Sequence, residues 1–266
     1  MANFHVISGA SARPAHPAIR KIGIDDIKFA LNKGWEDFMT FPTQLFFLCL
    51  IYPIVGLALG RLAFGAAVLP LLFPLMAGFA LIGPIAAVGL YELSRRREAG
   101  METTWRNAFD VLKSPSIGAI AALGIVLMIL FLGWLYTAQA IYQSLFGLAA
   151  PDDIETFLHE IMTTEAGWKL ILYGNAAGFL FALASFLIGA VSFPLLLDRD
   201  VGAAAAVETS IRAILKNPFT MAIWGIVIAA LLAIGSLPFF VGLAIVMPVL
   251  GHANWHLYRR LVERDA

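Results

Sequence analysis

PFTMAIWGIVIAALLAIGSLPFFVGLAIVMPVLGHANW, residues 218–255, holds no Asp, Glu, Lys or Arg. As one unbroken helix it would be about 57 Å long, close to twice the ~30 Å of a bilayer's hydrocarbon core. The run must therefore turn inside itself. Gly235, Ser236 and Pro238 stand near its middle and supply turn chemistry. The reading is two spans, 219–235 and 238–256, joined by a tight turn.

The same ruler applies outward along the chain. Uncharged runs lie between Asp37 and Arg61, Arg61 and Glu92, Lys113 and Asp152, and Lys169 and Asp198. They predict spans at 44–60, 66–91, 117–140 and 170–196, with an interfacial segment around Tyr142–Leu148. Composition agrees: 60% of the residues are hydrophobic and 14% charged, and the mean hydropathy is +0.83, against about 45–50% and 25% in a soluble domain. The expectation is an all-α, polytopic membrane protein with six transmembrane helices.

Loop charge sets the expected orientation. Sixteen of the eighteen Lys and Arg residues fall on one side of that arrangement, and only Arg61 and Lys169 on the other. By the positive-inside rule the basic side is cytoplasmic, and both termini with it. The loop 151–168 carries Asp152, Asp153, Glu155, Glu160 and Glu165, as an external loop can. The location expected is a bacterial inner membrane. Residues 1–18 have turn formers without periodicity and no apolar core of a secretory signal, so they read as a mobile, uncleaved tail, followed by a single membrane domain over 19–266.

At an offset of 164 residues the chain matches itself: Pro74 with Pro238, Gly78 with Gly242, Pro84 with Pro248, Leu93 with Leu257, and Arg95–Arg96 with Arg259–Arg260. Phe193–Pro194 suggests a degenerate third copy. Ahead of Pro42, Pro115 and Pro218 stand the amphipathic segments 24–40, 102–113 and 203–216. These imply three hairpin repeats, each preceded by a cytoplasmic surface helix. Chance reuse of Pro and Gly in membrane helices is the alternative.

Three motifs carry a family resemblance: GWEDFMTFP at 34–42, IGPIAAVGLYELSRRRE at 82–98 and WHLYRRL at 255–261. They resemble an uncharacterised bacterial integral membrane family, domain of unknown function 2189, over nearly the whole chain. The resemblance implies a membrane location and no defined activity. Some members carry the name cytochrome oxidase subunit I. Such a core needs about six membrane histidines, and of the five here only His252 and His256 lie at the membrane.

Net charge is +0, so nothing invites nucleic acid. The single cysteine, Cys49, excludes an intramolecular disulfide. Five positions merit scrutiny. His252 and His256, four apart on one helix face, suit a ligand or an interfacial anchor. Glu92 ahead of Arg95–Arg97 is a proton carrier or an ion-pair partner. Asp198 lies at the same level and invites the same two readings. Asn175 lines an outer vestibule or hydrogen-bonds between helices. No catalytic group, metal site or cofactor is expected. No span carries an ionisable residue in its central third, which weighs against charged-substrate transport. The function expected is a non-enzymatic accessory, assembly or interaction protein, its partners being the lipid bilayer and other membrane proteins or a second copy of itself. The alternatives are a transporter or channel for a neutral or lipid-like molecule and, more weakly, a haem-binding or redox accessory protein.

Overall fold

The computed structural model describes residue 6 and residues 17–40, 69–148, 151, 153–237 and 241–264. Among them the architecture is all-helical, with one isolated bridge between Ile19 and Val262. In chain order the elements are α1 (Ile24–Thr40), α2 (Leu69–Gly78), a 3-10 helix (Phe79–Ile82), α3 (Gly83–Ala86), α4 (Val88–Glu98), a second 3-10 helix (Trp105–Lys113), α5 (Ile117–Phe146), α6 (Ile154–Thr163), α7 (Glu165–Asp198), α8 (Ala203–Lys216), α9 (Pro218–Ser236) and α10 (Leu243–Leu261). Among the described residues four helical runs are long and apolar enough to cross a membrane: Phe73–Glu98, Ile117–Phe146, Glu165–Asp198 and Pro218–Ser236. The expected span at 44–60, the start of the one at 66–91 and the turn residue Pro238 lie outside the described residues.

Two helices are longer than the sequence reading made them. α5 runs to Phe146 rather than 140, and stops at Gly147, whose φ of 82° few side chains tolerate. α7 covers 34 residues, about 51 Å at helical rise, so it must project beyond a bilayer core. Its extra first turn is held by the Glu165–Lys169 pair at 2.6 Å, one helical turn apart. The segment expected as a surface helix over 102–113 is a 3-10 helix from Trp105. A capping box starts it: Asn107 Oδ1 accepts from the Thr104 backbone N–H at 2.8 Å. Pro115 ends it by holding the preceding Ser114 in extended backbone, φ −64° and ψ 137°.

The chain divides into two compact units. One comprises Tyr52–Gly83 and Ile125–Ser185. Here α2 contains Pro74 and gives way to 3-10 geometry at Phe79. Backbone carbonyls in this interrupted run find side-chain donors: Trp134 Nε1 reaches the Pro74 oxygen at 2.8 Å and Ser185 Oγ the Leu81 oxygen at 2.6 Å. Trp134 also packs with Leu81, Ala138 and Phe181. At its other end Tyr142 stacks on Phe146 and meets Phe157 of α6 edge-on.

The other unit comprises Met1–Ile51, Pro84–Gly124 and Phe186–Ala266. Its centre is the packing of α1 on α10. α1 turns Ile27, Ala30, Gly34, Asp37 and Phe38 inward, positions at helical spacing. At Gly34 the two backbones come so close that a Cβ would lie 2.6 Å from the Ala253 nitrogen and 2.7 Å from the Val249 oxygen. Leading into α1, residues 18–22 are bound as an extended arm. Arg20 N–H donates to the Leu261 oxygen at 2.7 Å and Glu263 N–H to the Ala18 oxygen at 2.9 Å. Asn217 Oδ1 accepts from Ile22 N–H at 2.9 Å, and its Nδ2 donates to the Arg20 oxygen at 3.0 Å. Ala18, the last residue of the stretch read as a mobile tail, thus takes part in backbone pairing, while residues 1–5 and 7–16 of that stretch lie outside the described residues.

Candidate functional site

Polar side chains converge where α1, α4 and α10 meet. Asp37, on the inward face of α1, is 2% exposed, Ser94 of α4 is 0% and His252 of α10 is 0%. An ionised carboxylate in that position persists only if its lone pairs are filled, and they are. Ser94 Oγ donates to Asp37 Oδ2 at 2.5 Å, His256 Nε2 lies 2.8 Å from the same oxygen, and Arg97 Nη1 is 2.5 Å from Oδ1. Burial by itself would push the Asp37 carboxyl up. The hydrogen bonds from His256 and Ser94, with the charges of His256 and His252, outweigh it and hold the group at about 2.

The hydrogen positions follow by elimination. A carboxylate only accepts, so the one hydroxyl proton of Ser94 points at Asp37. His252 Nδ1, 2.8 Å from Ser94 Oγ, must then carry the proton it shares with that oxygen. An activated serine needs the opposite polarity, with its hydroxyl donating to an imidazole and its oxygen open to substrate. This arrangement binds three helices together instead of preparing a nucleophile.

Around the clamp lie three further nodes. Glu92, also 2% exposed, accepts from Arg95 Nε at 2.7 Å and Arg95 Nη2 at 2.8 Å, and from Arg96 Nε at 2.8 Å. Arg96 continues to Asp110 at 3.0 Å, which holds Lys113 at 2.7 Å. Asp198, at the end of α7, accepts from the Tyr258 hydroxyl at 2.6 Å and Arg259 Nη1 at 2.9 Å. Glu98 accepts from Trp255 Nε1 at 3.0 Å and pairs with Arg259 and Arg264. One layer deeper, Asn254 donates to the Tyr91 hydroxyl at 3.2 Å and the Ala190 oxygen at 3.0 Å, and accepts from Trp224 Nε1 at 3.3 Å. That single amide joins α4, α7, α9 and α10.

Of the five positions singled out in the sequence, Glu92, Asp198, His252 and His256 therefore fall in one polar layer. Asn175 does not: it is exposed and its amide donates to the Ile171 oxygen of its own helix at 2.7 Å. Sequence reading missed Asp37, Ser94 and Asn254. Asp37 left a signal, since it occupies the apolar stripe of α1 where a charge is out of place. Among the described residues no group of three or more His, Cys, Asp or Glu side chains has metal-holding geometry.

Neither a curated protein nor a solved structure matches the chain. A family model described as predicted integral membrane protein (DUF2189) matches residues 71–198. The match takes in Glu92, Ser94, Arg95–Arg97, Asp110 and Asp198, but neither α1 nor α10, which carry two of the three motifs behind the resemblance. Over residues 71–198 the chain is similar to that family of predicted integral membrane proteins.

Proposed function

We propose that the protein acts in a bacterial inner membrane as a non-enzymatic interaction or assembly partner of other membrane proteins. The observation that carries this reading is the fate of its reactive side chains. Asp37, Ser94, His252 and His256 are spent on one another as inter-helix ties, with the serine shut off from solvent, and Glu92 is spent on Arg95 and Arg96 of its own helix. Large apolar side chains meanwhile face outward on α1 and the second 3-10 helix: Phe29, Trp35 and Met39 on one, Trp105, Phe109 and Leu112 on the other. A photo-crosslinking residue at Trp35 or Trp105 in intact membranes is expected to capture a discrete membrane-protein adduct. A protein that stays monomeric and captures nothing would sink the reading.

The topology proposed with it is six spans in three hairpins, each after a surface helix, with both termini cytoplasmic. α10 is polar in its second half, yet its end is bonded to the ends of two runs apolar enough to cross a membrane. Arg259 meets Glu98 and Asp198, and Tyr258 meets Asp198. α9 begins at Pro218, beside the bound arm at Ile22, and Gly235 at its far end lies against Gly242, where α10 starts. Return of α10 to the level of Glu98 and Asp198 supports a hairpin. An even count then calls for the span read at 44–60.

A second reading, a path for a neutral or lipid-like molecule, draws on the interrupted run Leu69–Glu98, since broken helices offer backbone groups to a substrate. Trp134 and Ser185 already occupy two of those carbonyls, which favours packing over passage.

A further inference from the structure

Three membrane-competent runs end within a few residues of one cleft: Phe73–Glu98 finishes beside it, Ile117–Phe146 starts beside it and Glu165–Asp198 finishes beside it. Its volume is about 380 Å³, and Arg95, Arg96, Lys113, Glu92, Asp110 and Leu197 line it. Span ends fix depth in a bilayer, so the cleft opens at the level of lipid headgroups.

The charges there are built for an anion. Three cations face two carboxylates, leaving a net positive charge. The carboxylates brace the cations: buried Glu92 grips both guanidinium groups, and Asp110 ties Arg96 to Lys113. Each guanidinium has five N–H donors, and these pairs engage two on Arg95 and two on Arg96. Lys113 is 81% exposed with one partner. Guanidinium and ammonium donors are the groups that take phosphate oxygens. The wall of the cleft is the second 3-10 helix, on which Trp105, Phe109 and Leu112 are exposed beside Lys113, and Leu197 adds an apolar patch inside. A soluble phosphate has no use for that apolar flank; an acyl chain does.

The geometry points to a binding site for the phosphate headgroup of an anionic phospholipid, with Arg95, Arg96 and Lys113 on the phosphate and the 3-10 helix alongside the acyl chain. The test uses the full chain, stripped of lipid in detergent, with dioleoylphosphatidylglycerol, dioleoylphosphatidylcholine or glycerol phosphate added at equal concentration. Bound lipid is counted by native mass spectrometry, and protection is followed by thermal unfolding. The anionic lipid is expected to bind and to raise Tm above the other two. Lys113→Gln should weaken that binding ~5-fold, as loss of one interfacial cation does, and adding Arg95→Gln should weaken it further. Circular dichroism checks that both variants fold, and Lys28→Gln, a surface cation paired with Asp25, should leave binding unchanged. Equal binding of the zwitterionic lipid, equal protection by glycerol phosphate, or folded variants that bind as the parent does would each overturn the assignment.

Discussion

Asp37 is ionised where water scarcely reaches it, and its ties cross 57, 60 and 219 residues of sequence. Its carboxyl is held at about 2 against an ordinary 3.8. A depressed carboxyl contributes stability that is complete above the unfolded-state value and is lost as pH falls through the folded one. The contribution near neutrality is ~2 kcal/mol. Asp37→Asn, similar in shape but uncharged, should therefore lower stability by about that amount at pH 7. The gap between parent and variant should narrow as pH falls from about 4 towards 2. Thermal melts of both in detergent across that range check this, and a gap that stays constant would show that the charge is not what Asp37 contributes. None of these partners is adjacent in sequence, which is why Glu92, Asp198, His252 and His256 were legible as ionisable groups at one level while the carboxylate and hydroxyl that join the two histidines were not.

At the scale of the element, α1 on α10 is the contact on which the polar layer depends, and Gly34 is its tightest point. Gly34→Val puts two methyl groups where even a Cβ lies 2.6 Å from a backbone nitrogen. α1 must then lift, taking Asp37 with it. The expected cost is about 2–4 kcal/mol, within the range for a buried steric and polar loss. Gly225→Ala on α9 meets nothing within 4 Å and should be neutral or gain up to ~1 kcal/mol from helix propensity. Melting temperatures and protease cleavage within 24–40 report both. Equal tolerance of the two substitutions would mean that α1 is not seated as described. Sequence reading placed α1 well, because buried Ile27, Ala30 and Gly34 keep helical spacing. It ended α5 early and began α7 late because it counted only enough residues to cross a bilayer. Helices continue past the hydrocarbon wherever caps and pairs such as Glu165–Lys169 allow.

For the whole molecule, the apolar surface and the polar layer divide the work. Ile125, Ile129, Leu132 and Tyr136 on α5 and Leu172, Phe179 and Leu180 on α7 are exposed, a surface suited to lipid and costly in water. Paired charges gather instead around buried Glu92 and around Glu98 and Asp198, each the last residue of a membrane-competent run. Run lengths and loop charges made the membrane class readable from the sequence. The bonding of α10 to the span ends was not readable, because His252, Asn254, His256 and two arginines make its second half look like a helix leaving the membrane. The most direct test of six spans with the polar layer on the cytoplasmic side is a set of reporter fusions after Glu98, after Glu155 and at the C-terminus. Fluorescent-protein signal is expected at Glu98 and the C-terminus and alkaline phosphatase activity at Glu155; phosphatase activity at the C-terminus would contradict this topology.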